Sequence, residues 1–590
     1  MSEVIDNGSP VPGPTGEVVA VSGSEAMVWL KPGFSARSND ALTTVGKFLG
    51  IRTDRSLVIG ILTKVSVKKQ VGSDPQDYVT GQLDLLGEVK EGAMGPKFHR
   101  GVTEYPMIGD PLELITNGQL KTIFGIAGPN TIEIGQLQQD ASISAYIDVD
   151  ETVSKHFAVF GTTGVGKSSG LAVILNQIID VKPDLRIFLI DLHNEYGPCF
   201  GERAQVLTPR NLKLPFWLFN FEETIDVFFK GRPGVDEEVE ILAELIPIAK
   251  SCPVQKQPAD RPNLRMKDSK CIGYTVDTPV PYRLQDLVAL IDERIGSLQY
   301  RPDWIKYHRL KTRIEKVRND PRYSFMFENA HAGGDTMVEV LSQLFRLPPN
   351  GVPISIMQLA GFPGEVVDAL VSVLCRMAFE FGLWSDGAFP LLFVCEEAHR
   401  YAPSDRSIGF GPSRKAISRI AKEGRKYGVF LGLVTQRPSE LDAAIISQCS
   451  TLFAMRLAND RDQSIVRAAV SDAAASLVSF VPSLGAREVF AFGDGVALPT
   501  RLRFMELPGH LFPKNEAVSR ARVGSRVTAD RDAIASVVGR WRGASMIRPL
   551  TPEDAQAKDA IEEGSVVLPR SGPNGQQSGP TLRKTPSVRT

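Results

Sequence analysis

The first 116 residues of this 590-residue chain contain short runs of apolar residues, some alternating with polar ones and some continuous. Breaks that hold glycine or proline separate the runs, and such spacing is typical of short strands joined by turns. The six runs cover residues 16–22, 26–30, 45–51, 56–65, 81–89 and 110–115. The pattern therefore predicts a small β-barrel at the start of the chain.

From residue 157 onward, apolar strands alternate with stretches of helical periodicity. That alternation is the mark of a parallel sheet with helices on its faces. The candidate strands cover residues 157–161, 186–191, 352–359, 391–396, 429–435, 451–457 and 488–492. We therefore predict an α/β fold for the larger part of the chain.

The second and third candidate strands are separated by about 160 residues, far more than a normal connection, so this segment must have structure of its own. Three stretches within it, 237–246, 284–295 and 304–317, have helical periodicity. The predicted division is a barrel domain at 1–148, core at 149–204, a helical insertion at 205–349, core again at 350–510 and an extension at 511–590. The end of that extension, rich in Pro, Gly and polar residues, is expected to form a flexible tail.

Composition narrows the function only slightly. The chain has 67 basic and 68 acidic side chains and a formal charge of -1, so contact with nucleic acid would depend on local basic clusters. Its six cysteines show no spacing typical of zinc sites or disulfides, which favours reduced thiols. The N-terminus does not resemble a signal peptide, and no apolar run is long enough to span a bilayer. We expect a cytoplasmic protein.

The most specific motif is G-T-T-G-V-G-K-S at 161–168, which matches G-x-x-x-x-G-K-[ST]. In that pattern glycines let the backbone approach phosphate, the lysine reaches the β and γ phosphates, and the hydroxyl ligates magnesium. The match lies between an apolar strand and a helical stretch, as the motif requires. We expect ATP and Mg²⁺ here. The candidate binding residues are Gly161, Thr162, Thr163, Gly164, Val165, Gly166, Lys167, Ser168 and Ser169.

Two carboxylates stand at the end of the candidate strand 391–396: Glu396 is its last residue and Glu397 follows it. Charges at the end of a buried strand are costly unless they have a function, and ligands bind at this edge of open α/β sheets. Glu396 would hold magnesium through water, beside the Ser168 hydroxyl, and Glu397 would polarise the attacking water. The alternative is a solvated strand end before a helix.

The next strand is followed by Gln436, which would lie beside the γ-phosphate, although a turn former is the alternative. The preceding helical stretch, 412–428, places basic residues in one stripe and apolar residues on the opposite face. The stripe consists of Lys415, Arg419, Lys422 and Lys426, opposite Ile417, Ile420 and Ala421. Arg425 belongs to neither group and could reach a nucleotide on an adjacent subunit. A solvated face for the stripe and a local ion pair for Arg425 remain open.

Taken in order, these motifs resemble the HerA-like hexameric DNA translocases, within the HerA and FtsK group of P-loop ATPases. The resemblance rests on the motif at 161–168, which is a P-loop, and on four further segments. These are D-L-H-N-E-Y at 191–196, E-E-A-H-R-Y at 396–401, E-G-R-K-Y-G at 423–428 and T-Q-R-P-S at 435–439. The N-terminal barrel, the insertion and the closing strands at 485–504 also fit that family. The ordered series is more specific than any single motif and spans roughly residues 15–510.

The resemblance implies a RecA-like P-loop ATPase core that carries a small N-terminal β-barrel and a helical insertion. It implies a homo-hexameric ring with ATP between neighbouring subunits and double-stranded DNA in the pore. The implied roles are phosphate and magnesium binding for Lys167 and Ser168, water activation for Glu397, γ-phosphate sensing for Gln436 and action in trans for Arg425. Asp191, His193 and Glu195 would line the same cleft.

Two further segments bear on the family resemblance. Asn194 stands where the family usually has glycine, so the turn there is expected to differ. Residues 400–413, with Arg400 and Arg406, would either transmit hydrolysis to DNA in the pore or form an ordinary surface loop.

The principal hypothesis is an ATP-hydrolysing DNA motor that grips the duplex backbone without reading sequence. The chain shows no nuclease motif, so a separate nuclease or effector would cut DNA, in end processing or in anti-phage defence. The alternatives are a scaffold ring that activates a partner enzyme with little DNA movement, and a coupling ATPase of a membrane-bound transport complex.

Overall fold

Two β-sheets organise the part of the chain that a computed structural model describes. The described residues are 14–31, 44–69, 77–92, 95–125, 128–252, 273–297, 304–327, 335–514, 534–535 and 538. Both sheets belong to one compact unit, Met1–Ser525, and a second unit, Arg526–Thr590, holds only three of the described residues. The predicted flexible tail therefore lies outside the described residues.

The first sheet is formed by seven antiparallel strands. They are β1 (Gly16–Ser22), β2 (Glu25–Leu30), β3 (Phe48–Arg52), β4 (Ser56–Lys69), β5 (Asp77–Gly92), β6 (Gly95–Arg100) and β7 (Pro111–Leu114). Six of them close on themselves in the order β1, β7, β3, β4, β5, β2, because β2 pairs with both β5 and β1. Alternate side chains such as Val18, Val28, Leu49 and Leu112 fill the interior. The predicted small β-barrel is confirmed.

The six barrel strands correspond to the six apolar runs of the sequence. Strand β6, which pairs with the far end of β5, was not predicted. Its sequence, G-P-K-F-H-R, exposes most of its side chains and so carries no alternation of apolar and polar residues.

The second sheet has eleven strands. They are β8 (Thr131–Leu137), β9 (Ser144–Asp148), β10 (Phe157–Phe160), β11 (Arg186–Asp191), β12 (Ala204–Leu207), β13 (Ile354–Gln358), β14 (Leu391–Cys395), β15 (Val429–Thr435), β16 (Thr451–Met455), β17 (Glu488–Gly493) and β18 (Thr500–Phe504). Their order is β12-β13-β11-β14-β15-β10-β16-β17-β18-β8-β9, parallel as far as β16 and antiparallel from there on. All seven predicted core strands are present, and the α/β prediction is confirmed.

This sheet corrects two predicted domain boundaries. Strand β8 pairs with β18 in the second sheet and β9 pairs with β8, although the sequence division assigned both to the barrel domain that ended at residue 148. Strand β12 is the edge strand beside β13, although the division placed residues from 205 onward in the helical insertion. Apolar alternation identifies a strand but does not indicate which sheet it joins.

Among the described residues, fourteen helices cover the sheets and form the insertion. They are α1 (Asn117–Phe124), α2 (Val149–Ser154), α3 (Lys167–Val181), α4 (Phe221–Phe229), α5 (Asp236–Ser251), α6 (Leu284–Gly296), α7 (Trp304–Arg318), α8 (Ser324–Phe327), α9 (Met337–Phe345), α10 (Val367–Trp384), α11 (Gly411–Glu423), α12 (Ala443–Ile446), α13 (Asp460–Ala469) and α14 (Asp472–Ala475). The three predicted insertion helices correspond to α5, α6 and α7. In the described ranges, none of the helices has the length and hydropathy needed to cross a membrane.

An ion pair joins the insertion to the core. Glu223 on α4 is fully buried and contacts Arg376 on α10, with Oε2 and Nη2 2.8 Å apart. The same carboxylate accepts a hydrogen bond from the Ser372 hydroxyl at 2.8 Å and from the backbone N–H of Asn220, the N-cap of α4, at 2.8 Å. Both oxygens of this buried carboxylate are thereby engaged, which fixes α4 against α10.

Candidate functional site

The loop that follows β10 borders a cavity at the carboxyl edge of the second sheet. Gly164 and Gly166 in this loop have φ angles of +79° and +97°, a left-handed conformation that glycine adopts without strain. The loop leads into α3, whose first turn has no side-chain cap, so its backbone N–H groups are available to an anion. Lys167 begins that helix, and its Nζ donates to the carbonyl of Thr162 at 3.1 Å. The loop thus offers backbone donors and a cation to phosphate.

The nine candidate phosphate-binding residues have different positions. Six of them line the cavity: Thr163, Gly164, Val165, Gly166, Lys167 and Ser168. Gly161 and Thr162 instead fasten the loop to the sheet, because their N–H groups donate to the carbonyls of Thr435 and Arg456 at 3.3 and 3.0 Å. Ser169 is buried in α3. These three residues shape the loop and do not line the cavity.

The turn after β11 brings a second set of side chains to the cavity. Asp191 is buried, and its carboxylate accepts hydrogen bonds from the backbone N–H groups of Glu195 at 2.9 Å and Tyr196 at 3.1 Å. Asp191 therefore holds the turn and is not part of the cavity lining. His193 and Glu195 do line it. The hydroxyl of Ser168 donates to Glu195 Oε2 at 2.7 Å, which links this turn to the P-loop.

Asn194 keeps the left-handed conformation at the position where the resemblance led us to expect glycine. Its φ angle is +56°. Asparagine adopts this region more readily than most residues with a side chain, although the Oδ1 of Asn194 is buried without a hydrogen-bond partner. The turn therefore differs from the expected one in residue type, whereas its backbone has the left-handed conformation that a glycine would adopt.

Glu396 and Glu397 follow β14 and face the same cavity. Both are buried, and Glu396 Oε2 accepts a hydrogen bond from the backbone N–H of Leu192 at 3.0 Å. Glu397 has a φ angle of +48°, and its Oε2 is buried without a hydrogen-bond partner. A strained residue with an unsatisfied carboxylate oxygen is characteristic of a functional position.

Carboxyl groups outnumber cations in this cavity. Burial, followed by the charges of Asp191, Glu195 and Glu397, raises the pKa of Glu396 well above its ordinary value. Burial lowers the pKa of Lys167, while the nearby glutamates act in the opposite direction. A divalent cation would relieve this excess of negative charge.

The donor set fits magnesium held together with a phosphate group. Oxygen is the ligand that Mg²⁺ prefers, and the cavity offers the Ser168 hydroxyl and the carboxylates of Glu195 and Glu396. Across the described ranges, no three His, Cys, Asp or Glu side chains are arranged to hold a metal by themselves. Mg²⁺ does not need such a set of side chains. It usually keeps several waters and is bound by one or two carboxylates together with the phosphates of the substrate.

The strand between the P-loop strand and the carboxylate strand contributes Gln436 and Thr435. Gln436 lines the cavity, and its Oε1 accepts from the Thr163 hydroxyl at 2.5 Å. The Thr435 Oγ1 accepts from the backbone N–H of Arg437 at 3.0 Å and lies 2.9 Å from His399 Nδ1. That nitrogen is also 3.3 Å from Glu397 Oε2, without the geometry of a hydrogen bond, so His399 lies between β15 and the carboxylate that follows β14.

The structure does not bring Arg425 to this cavity. Helix α11 ends at Glu423, five residues before the end of the predicted helical stretch, and Arg425 lies exposed in a tighter turn, Gly424–Tyr427. Its charge is near His156, which precedes β10, and helps to lower the pKa of that imidazole. Arg425 thus lies at the amino edge of the sheet, whereas the P-loop follows the carboxyl end of β10.

The basic stripe and the loop after Glu397 lie outside the cavity. The four basic residues of the stripe are exposed and their apolar counterparts on α11 are buried, as the periodicity predicted. Lys415 lies 3.7 Å from Glu222, and the Arg419 guanidinium covers the ring of Phe379 at 4.1 Å. In the loop 400–413, Arg400 and Arg406 are exposed.

Sequence reasoning missed Ala486 and Arg487, which also line the cavity. The backbone N–H of Arg487 donates to the carbonyl of Val165 at 2.9 Å, and its guanidinium lies 3.4 Å from Glu506. Arg487 has a φ angle of +63°, so a strained residue brings a cation beside Gly166. It lies far along the chain from the P-loop and belongs to no phosphate-binding pattern, so only the pairing of β16, β17 and β18 reveals it.

Known proteins that are similar to this chain are described as helicases. The family described as "Helicase HerA, central domain" matches residues 132–378. The DNA double-strand break repair helicase HerA of Pyrococcus furiosus is 28% identical over 534 residues, covering 80% of this chain and 89% of that protein. A probable helicase of Methanocaldococcus jannaschii is 26% identical over 452 residues, covering 73% of this chain and 77% of that protein.

Two solved structures also match, with low similarity. VirB4 of Thermoanaerobacter pseudethanolicus has 14% identity and a TM-score of 0.44, and covers 65% of this chain and 98% of VirB4. The bacterial conjugative coupling protein TrwB has 13% identity and a TM-score of 0.40, and covers 67% of this chain and 92% of TrwB. The matched central domain, the relatives along most of the chain and the P-loop cavity agree on one assignment. The central part of this chain matches the HerA helicase central domain, and most of its length is similar to proteins named as HerA helicases.

Proposed function

We propose that this chain is the subunit of a six-membered ring that hydrolyses ATP and moves along double-stranded DNA. The ring would work with a separate nuclease or other effector, in DNA end processing or in anti-phage defence. One observation carries the proposal: Lys167 on the P-loop and the carboxylates of Glu396 and Glu397 face each other across a single cavity. The relatives named as DNA double-strand break repair helicases support DNA as the substrate.

Each residue has a role that its position supports. The P-loop N–H groups and Lys167 would bind the phosphates of ATP. The Ser168 hydroxyl and Glu396 would together hold the magnesium ion. The magnesium ion would neutralise phosphate charge when bound. Glu397, whose Oε2 is unsatisfied, would accept a hydrogen bond from the attacking water and orient it. Gln436 would contact the γ-phosphate.

Arg425 would serve the cavity of the neighbouring subunit. Strand β10 alone spans about 13 Å at the usual rise per residue, so the side chain lies too far from the P-loop of its own chain. An exposed arginine at the opposite edge is, in contrast, free to reach across an interface between subunits and stabilise charge on the transferring phosphate.

ATP hydrolysis measured with and without linear duplex DNA tests the proposal. We expect hydrolysis by the assembled wild-type protein with magnesium, and faster hydrolysis when duplex is added. Lys167→Ala should abolish both by weakening phosphate binding, and Glu397→Gln should still bind ATP but lose hydrolysis by about 100-fold or more. Electron microscopy of the protein with an ATP analogue and duplex should show rings of six with DNA in the pore.

Two results would change the proposal. A protein that neither binds nor hydrolyses ATP would contradict it altogether. Hydrolysis that duplex does not stimulate, by rings that do not displace a strand in a translocation assay, would instead support a scaffold that activates a partner enzyme.

A further inference from the structure

A basic groove lies on the helical insertion and shares no residue with the ATP cavity. The groove encloses about 660 Å³ between the end of α4, the loop that follows it and one face of α7. Its cationic lining consists of Lys230, Arg232, Arg309, Arg313 and Lys316, joined by His308, and Glu365 is its one carboxylate among the described residues. Since the whole chain has a formal charge of -1, general basicity does not explain this concentration.

Ion pairs neutralise two of the basic residues of α7 that do not line the groove. Lys306 lies 2.8 Å from Glu237 on α5, and Lys311 lies 2.7 Å from Asp292 on α6. At the groove itself, Arg313 is also paired, 3.1 Å from Glu238. These contacts bind α7 to its neighbours and leave no charge for a ligand.

Three other cations of the groove are not paired in this way. Within the part of the chain that the structure describes, Arg232, Arg309 and Lys316 lie within ion-pair distance of no carboxylate, and all three are exposed. The groove's own carboxylate is already engaged, because Glu365 lies 3.5 Å from Arg322 and accepts from the Tyr323 hydroxyl at 3.4 Å. The groove therefore presents three exposed cations that no described carboxylate neutralises.

The groove offers charge but no apolar anchor point. Phe228, Phe229 and Val317 at its base are almost completely buried, and the Arg313 guanidinium lies 4.4 Å from the centre of the Phe229 ring. Protein partners usually insert aromatic or aliphatic side chains into such a base, which is closed here. A polyanion fits better, and arginine in particular matches the geometry of phosphate oxygens.

The spacing of the exposed cations matches a nucleic-acid backbone. Arg309 and Lys316 are seven residues apart on one face of α7, or about 10.5 Å along the helix axis. That distance equals about three phosphate steps of a strand, each about 3.4 Å along the duplex axis. We propose that this groove binds the sugar–phosphate backbone of nucleic acid without reading its sequence. The inference rests on the proposed function for the identity of the nucleic acid, which would be the DNA that the motor acts on.

The test is equilibrium DNA binding by a variant that lacks the three unpaired cations. Arg232→Ala, Arg309→Ala and Lys316→Ala are combined in a Lys167→Ala background without nucleotide, so that hydrolysis does not contribute. Anisotropy of a labelled duplex and of a labelled single strand is measured from about 50 to 200 mM salt, where counterion release dominates. The matched control removes three exposed, unpaired cations elsewhere: Lys97→Ala, Lys121→Ala and Lys213→Ala.

We expect the groove variant to bind at least tenfold more weakly at the lower salt concentration. The slope of log affinity against log salt should fall by about 2.7 for a duplex or about 2.1 for a single strand if all three cations contact phosphate. The control should match the parent in both quantities. The form of nucleic acid whose affinity falls by the larger factor is the form that the groove prefers.

Unchanged affinity and slope in the groove variant would overturn the inference. So would binding of poly-glutamate that depends on the three cations while DNA binding does not, because the groove would then be a site for acidic peptide. The variant in a wild-type Lys167 background should keep basal ATP hydrolysis and thermal stability, which excludes misfolding. A wild-type protein that fails to hydrolyse ATP, but whose DNA binding still depends on the groove, would contradict the proposed function and leave the groove assignment intact.

Discussion

Three residues with unusual backbone conformations lie in or next to the lining of the nucleotide cavity. Asn194, Glu397 and Arg487 all have positive φ angles without being glycine. Each such residue costs about 1–3 kcal/mol, which the surrounding structure must offset. The cavity thus stores strain in the elements that would position phosphate, magnesium and water.

Asn194 gives a direct test of this strain. Asn194→Gly should leave the midpoint of thermal unfolding and the KM for ATP nearly unchanged, because glycine adopts the same φ angle. Asn194→Val should destabilise the protein by about 1–2 kcal/mol, since β-branched residues avoid the left-handed region. It should also raise KM, because the turn places Glu195 against Ser168. Equal behaviour of the two variants would show that the φ angle is unimportant.

His156 makes a pH-dependent contribution to stability. Burial, with a contribution from the Arg425 charge, lowers its pKa to about 4, so the imidazole is neutral in the folded protein. Its Nδ1 accepts from the backbone N–H of Leu431 at 2.9 Å, and its Nε2 lies 3.1 Å from the carbonyl of Ala421. Because an unfolded chain binds a proton here near pH 6.5, this contribution is present above pH 6.5 and is lost as the pH falls toward 4.

We expect this group to cost the wild-type protein roughly 2 kcal/mol of stability between pH 7.5 and 5. His156→Asn should be less stable than wild type at pH 7.5, because it loses the bond to Ala421. Asparagine keeps an acceptor for Leu431 and suits the φ angle of +62°. The variant should therefore lose less stability than wild type on acidification, measured as the shift in unfolding midpoint. Parallel pH profiles would refute this role for His156.

At the scale of elements, the Glu223–Arg376 pair holds helix α4 of the insertion to α10 of the core. Arg376→Met should destabilise the protein by about 3–5 kcal/mol, because it leaves a buried carboxylate without its cation. The double variant with Glu223→Gln should recover most of that loss, since a neutral amide keeps the contacts to Asn220 and Ser372. Unfolding midpoints of the single and double variants give the coupling. Simple addition of the two effects would show that the pair does not act as a unit.

Strands were predictable from the sequence where long apolar runs ended at turn residues, as in β10, β11 and β14. Their order in the sheet was not, because pairing over hundreds of residues leaves no local pattern. The same limit explains why β8 and β9 were assigned to the barrel and why Arg487 was overlooked. The P-loop and Glu396 could be found because each follows an apolar strand directly, whereas the role of Asp191 in holding a turn depends on backbone contacts that no motif records.

At the scale of the whole molecule, the position of Arg425 predicts that activity requires two subunits. Lys167→Ala and Arg425→Ala should each be inactive as pure proteins. When the two are mixed in equal amounts and allowed to reassemble, about one interface in four should combine an intact Lys167 with an intact Arg425. ATP hydrolysis should then recover in the mixture. A mixture that stays inactive while forming mixed rings would contradict action in trans.

The position of β10 also determines when the protein can fold during its synthesis. This strand lies between β15 and β16, and the contact between His156 and Leu431 joins residues 275 positions apart. A ribosome that has produced the P-loop has therefore made neither of the strands that flank it. Folding dominated by such distant pairing is slow and leaves apolar segments open to aggregation. Nascent chains that stop before residue 429 should bind chaperones rather than nucleotide, and the ATPase core should mature only near the end of translation.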